Sequence, residues 1–86
     1  MPEISRFYGI IIQFFYNDHT PPHFHATYGE FEALIKIEDL AIFKGKLPKR
    51  AHELVLVWAT QHKHELLKNW ELCRQEQPLF KIDPLD

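Results

Sequence analysis

One cysteine, Cys73, stands in a chain of 86 residues. A lone thiol excludes an intramolecular disulfide and fits a reducing compartment. No long hydrophobic run is present either. The most apolar stretch, residues 7–16, contains Gly9 and Gln13 and falls well short of the roughly 20 apolar residues that a bilayer-spanning helix needs. The expectation is a cytoplasmic protein without a membrane partner. There is no internal repeat, low-complexity tract or linker, so a single domain over residues 1–86 is expected. No terminal histidine run is found, so the six histidines are not a tag. Charge of one sign is not in excess. The net charge of −2 does not favour nucleic-acid binding by the molecule as a whole. One local exception, Lys44, Lys46, Lys49 and Arg50, is read as a solvated loop and helix start in preference to a phosphate-contacting patch.

What the chain does hold is apolar and aromatic. It is 45% hydrophobic and 14% aromatic, with seven Phe, three Tyr and two Trp, so a core is affordable without disulfides. Residues 7–16 are rich in aromatic and β-branched side chains and read as one strand, apolar on both faces. Residues 23–28 and 30–37 alternate with period two, which predicts a hairpin around Tyr28-Gly29. In the expected register Ala26 pairs with Phe31 and His25 with Glu32. Phe24, Ala26, Phe31, Ala33, Ile35 and Ile37 then share the core face. A weaker strand is expected over residues 40–43.

Pro48 suits the first turn of a helix, and no Gly or Pro follows until Pro78. Ala51, Leu54, Val55, Trp58, Ala59, Leu66, Trp70 and Cys73 recur at spacings of three and four, an amphipathic stripe. A helix from 48 to 76 would be about 43 Å long, so a kink near His62 or an overhang is expected. The fold class is therefore α+β: a small antiparallel sheet of three to four strands packed against a long C-terminal helix, with an extended tail over 77–86. Leu56, Val57 and Leu67 lie off the stripe. They predict a second apolar face, to be covered by the tail, a partner or a second copy in a homo-oligomer.

Functional groups concentrate between Asn17 and Gly29. His23 and His25 stand two apart, so on a strand both imidazoles point to one face. That geometry suits two ligands of one metal such as zinc, with His19, Asp18 or the cross-strand Glu32 as the third. The set without a metal is a general acid–base pair drawn from His19, His23 and His25, with Arg6 or Lys36 holding a phosphate. Both histidines are expected to be solvent-accessible, and the bland alternative is an ordinary polar strand face. Cys73, on the stripe, reads as inert core.

The run Met-Pro-Glu-Ile-Ser-Arg-Phe-Tyr-Gly-Ile-Ile-Ile at 1–12, Asn-Asp-His-Thr-Pro-Pro-His-Phe-His at 17–25, Tyr28-Gly29, Leu47-Pro48-Lys49-Arg50, Trp58, His62 and Asn69-Trp70 resemble a small prokaryotic family, the domain-of-unknown-function family 4160. The resemblance implies a site at Asp18, His19, Pro21, Pro22, His23, Phe24, His25, Tyr28 and Gly29. It also implies a neighbouring protein partner from domain-of-unknown-function family 2442, in an arrangement similar to toxin–antitoxin pairs, and no established chemistry. The first functional expectation is an interaction module, one half of such a pair. The rival is a small histidine-dependent nuclease or hydrolase, with or without a metal. Whether the chain is an enzyme is left open by its residues.

Overall fold

The computed structural model describes residues 2–16 and 18–86. Five strands form one antiparallel meander in the order of the chain: β1 (Glu3–Phe7), β2 (Ile10–Gln13), β3 (His23–Tyr28), β4 (Phe31–Lys36) and β5 (Ile42–Gly45). Two helices follow, α1 (Lys49–Gln61) and α2 (Lys63–Arg74). The α+β class holds. The strand count of three to four and the one long helix do not.

The extra strand comes from the N-terminus. Residues 7–16 are not one strand, because Tyr8 and Gly9 both take positive φ, 51° and 80°. Two consecutive positive φ values make the tight turn that suits a two-residue hairpin. Gly9 marked the turn, but the unbroken apolar composition around it concealed the reversal. β3 and β4 are also joined by a two-residue turn, at Gly29-Glu30, one residue further along the chain than the expected Tyr28-Gly29. Ala26 therefore pairs with Ala33, and His25 with Leu34. The shift is by two residues, so every side chain keeps its expected face. Phe24, Ala26, Ala33, Ile35 and Ile37 are fully buried, joined by Ile10, Ile12 and Phe14.

Against this face α1 lays Ala51, Val55, Trp58 and Ala59, and α2 lays Leu66, Asn69, Trp70 and Cys73. The Trp58 ring sits 5.2 Å from Phe7 and 6.2 Å from Phe24, edge-on to the latter. The helical run breaks at His62 (φ −126°, ψ 22°). A continuous helix over residues 49–74 would be about 39 Å long, more than the 33 Å longest dimension of the molecule. The break instead folds α2 back onto the sheet. α2 ends in a Schellman arrangement. The Gln77 N–H donates to Leu72 O and the Glu76 N–H to Cys73 O, with Glu76 at φ 56° in the position glycine usually takes.

The tail after Pro78 is strapped down. Ile82 donates to Ile4 O on β1. The Trp58 indole donates to Asp83 O, and the Asn69 amide exchanges two hydrogen bonds with the Phe80 backbone. This explains a fully buried asparagine in an apolar stripe: both ends of its amide are satisfied. These tail contacts fall on the core side of the helices, at Trp58 and Asn69, while Val57 and Leu67 on the second face stay 51% and 44% exposed. Among the described residues, no helix is long and apolar enough to cross a membrane.

Candidate metal centre

His23 and His25 project from β3 on the face opposite Phe24. The expectation that they are open to solvent is overturned: they are only 4% and 5% exposed. Aromatic rings enclose them. Phe15 stacks on His25 at 4.1 Å, nearly parallel. Trp70 lies 5.3 Å from His23, and Phe43 meets it edge-on at 5.1 Å. Trp70 thus touches both the core, with its ring 6.5 Å from Phe14, and His23.

The segment of residues 18–22 folds back over the rings. Pro22 O accepts from the Ile37 N–H, which fixes the return beside β4. The Pro21 carbonyl lies 2.7 Å from His23 Nδ1. A carbonyl can only accept, so the proton is assigned to Nδ1 and the lone pair to Nε2. That Nε2 is buried and makes no hydrogen bond, although Asp18 Oδ2 is 3.1 Å away. His25 has the same arrangement. Its Nδ1 lies 3.1 Å from Glu32 Oε2, and its Nε2 lies 2.7 Å from the same Asp18 Oδ2. The three inward atoms all lie within 4.8 Å of one another.

Buried polar atoms without partners are uncommon and call for a reason. Here two imidazole nitrogens and a carboxylate oxygen converge, with both Nδ1 atoms held by acceptors behind them. A ring N–H held by a carbonyl or carboxylate is the usual outer support of a metal-ligating histidine. Without an ion, His25 Nε2 can reach Asp18 Oδ2 at 2.7 Å, whereas His23 Nε2, with its ring proton held at Nδ1, faces the same oxygen at 3.1 Å without donating to it. An ion at the centre of the three would satisfy all of them. Zinc–nitrogen and zinc–oxygen bonds of about 2.0–2.2 Å in a tetrahedron put ligand atoms roughly 3.3 Å apart. Asp18 Oδ2, at 3.1 and 2.7 Å from the two Nε2 atoms, lies near that spacing.

Glu32, expected as a ligand, stands behind His25 as the acceptor for Nδ1. His19 is exposed and is not among the converging groups. Arg6 is held by Glu3 through two hydrogen bonds of 3.0 and 2.8 Å, two strands away from His25. Lys36 stands opposite His23 but pairs with Asp39 at 3.5 Å. His62 packs on Trp58 and pairs with Glu65, so it belongs to the helix junction. Phe24 is core. Tyr28 is at the far end of β3, lining a separate cavity of about 220 Å³ with Tyr8, Ile10, Arg50 and Leu54. Sequence reasoning missed the enclosing rings Phe15, Phe43 and Trp70. The apolar parity of Phe15 beside the histidine turn was the available signal. Cys73 is buried as expected. Burial pushes its thiol pKa up, and the negative charge of Asp18 pushes it the same way.

The fold and cluster define a small α+β domain with a buried His-His-Asp constellation on a five-stranded meander. Residues 9–71 match the family model of Domain of unknown function (DUF4160), and the chain belongs to that family. Comparison with curated proteins and with solved structures gave no match.

Proposed function

We propose that this chain is a divalent-metal-binding domain whose ion is held by Nε2 of His23, Nε2 of His25 and a carboxylate oxygen of Asp18. The observation that carries the reading is the buried, unpartnered Nε2 of His23 facing two other acceptors. The nitrogen-and-oxygen donor set suits zinc or a neighbouring first-row ion better than calcium or magnesium. An ion that binds only the folded state must stabilise it, by about 2.7 kcal/mol at 100 times its Kd. Thermal melts with and without zinc test this. The wild type should melt higher with zinc, and a His23→Ala/His25→Ala variant should not respond. No shift for the wild type at millimolar zinc would remove the reading.

A second reading, an interaction module in a toxin–antitoxin-like pair, is supported by the exposure of Val57 and Leu67 and by the resemblance to a family with paired neighbours. The two readings are compatible, since a metal centre can stiffen a domain that binds a partner. A histidine-dependent hydrolase is the rival use of the same centre. Turnover that disappears in His25→Ala while the fold persists would favour it.

A further inference from the structure

β5 does not continue the β4 ladder evenly. Ile35 pairs with Ile42, but Leu34 pairs with Lys44, so Phe43 is an inserted residue. Such a bulge re-aims side chains, and bulges gather beside functional sites. Here it brings two consecutive residues to the histidine face. The Phe43 ring lies against His23 while remaining 42% exposed. Lys44 stands opposite Leu34, which itself stands opposite His25.

Gly45 makes the bulge possible. Its φ is +79°, and a Cβ there would lie 2.1 Å from Glu32 O. Lys46 continues beside β4, its N–H donating to Glu32 O. Lys44 and Lys46 are exposed and form no ion pair among the described residues, whose carboxylate pairs involve Glu3, Asp18, Glu32, Asp39, Glu65 and Glu71.

We infer that this rim binds single-stranded nucleic acid, with a phosphodiester set between the ion and the two lysines and a base stacked on Phe43. The inference rests on the metal reading, because three protein ligands leave an ion with a fourth coordination position, and Asp18, whose side chain is 23% exposed, is the member of the cluster that meets solvent. Strands about 4.8 Å apart place the Lys44 backbone roughly 10 Å from that of His25, within reach of a long side chain directed at an ion-bound phosphate. The ion also settles the local charge. Without it, Asp18 and Glu32 repel a polyanion. With it, their two negative charges are offset and the lysines dominate. A positive rim beside an exposed aromatic ring is the general pattern for single strands, and it is tolerant of sequence. The net negative charge of the whole molecule then confines binding to this one edge.

The test is fluorescence anisotropy of a labelled single-stranded RNA against zinc-loaded protein, in parallel with calorimetric zinc titration. Binding should require zinc, weaken with added salt, and fall at least tenfold in Lys44→Glu/Lys46→Glu. Phe43→Ala should lose roughly fivefold or more. The lysine variants should keep wild-type zinc affinity and melting behaviour, because the altered side chains are exposed; Phe43 packs on His23, so Phe43→Ala is compared at a zinc concentration that saturates that variant in the calorimetric titration. Lys44→Gln/Lys46→Gln should fall between wild type and the glutamate pair. If the wild type takes zinc but not RNA, or if the variants bind RNA as well as it does, the inference is overturned and the metal reading stands. If the wild type takes no zinc, both fall.

Discussion

His25 has a carboxylate at each ring nitrogen, and the two have different work. Asp18 Oδ2 shares the inner space with both Nε2 atoms, whereas Glu32 stands outside and fixes the ring by accepting from Nδ1. On the proposed metal reading, Asp18→Ala removes a ligand and should nearly abolish zinc binding. Glu32→Ala removes only outer support and should weaken zinc affinity by about 10–100-fold, with Glu32→Gln recovering part of it through its amide oxygen. Competition against a chromophoric chelator measures both. Equal losses would show that the two carboxylates are equivalent. Cys73 offers a second check at this scale. Its thiol is buried and its pKa raised by that burial and by Asp18. Little thiolate forms near neutral pH, so a thiol reagent should modify native protein far more slowly than protein in urea. Comparable rates would place the thiol in solvent. The shared face of His23 and His25 was legible, because strand alternation depends on nothing but period. Their burial was not legible, since the covering rings come from residues 15, 43 and 70, which no local pattern joins.

At the scale of elements, the faces survived errors in the boundaries. A hairpin register displaced by two residues leaves every side chain on its own side, so Phe24, Ala26, Ala33, Ile35 and Ile37 stand in the core although Ala26 pairs with Ala33, while Phe31, expected with them, sits beside the turn and is only half-buried. The first hairpin was hidden because Phe7 to Tyr16 is apolar on both sides of the Tyr8-Gly9 turn. The break at His62 carries no glycine or proline, and it follows from the size of the body the helix must cover. Two substitutions probe this level. Trp58 is fully buried and meets both the β1 end and β3, so Trp58→Ala should cost about 3–5 kcal/mol in denaturant melts. A loss below about 1 kcal/mol would mean the α1 face is misassigned. Glu76 holds the left-handed position that ends α2, a conformation that costs a residue with a Cβ roughly 1 kcal/mol. Glu76→Gly relieves it and should raise the melting temperature by a few degrees, about 4–8 °C per kcal/mol for a chain of this length. A lower melting temperature would show that the Glu76 side chain contributes more than its backbone strain costs.

Across the whole molecule, the tail joins parts that the sheet and helices leave separate. Ile82 is buried and its N–H donates to Ile4 O at the β1 edge. Asp83 O accepts from the Trp58 indole of α1, and the Phe80 backbone engages both ends of the Asn69 amide of α2. One short segment therefore closes an open sheet edge and satisfies buried polar groups on both helices. Removing residues 79–86 would take away the burial of Ile82, worth about 1.5–3 kcal/mol for a fully buried side chain of its size, and expose the surface it covers. It would also leave the buried Asn69 amide and the Trp58 N–H without partners unless water enters, at about 1–3 kcal/mol each. Against a total stability of about 5–15 kcal/mol for a typical domain, the truncated chain should be at best marginally folded. Urea melts followed by tryptophan fluorescence read this directly, because both indoles lie under or beside the tail's contacts. The buried-amide part of the argument can be separated with Asn69→Ala in the full chain. That variant keeps Ile82 in place and frees only the Phe80 backbone, so it should lose less than the truncation. A truncated chain within about 1 kcal/mol of wild type would show that the tail is not part of the folding unit. The exposed surface would then extend from Val57 and Leu67 into the groove left by Ile82, and sedimentation of that truncated chain should show association through it.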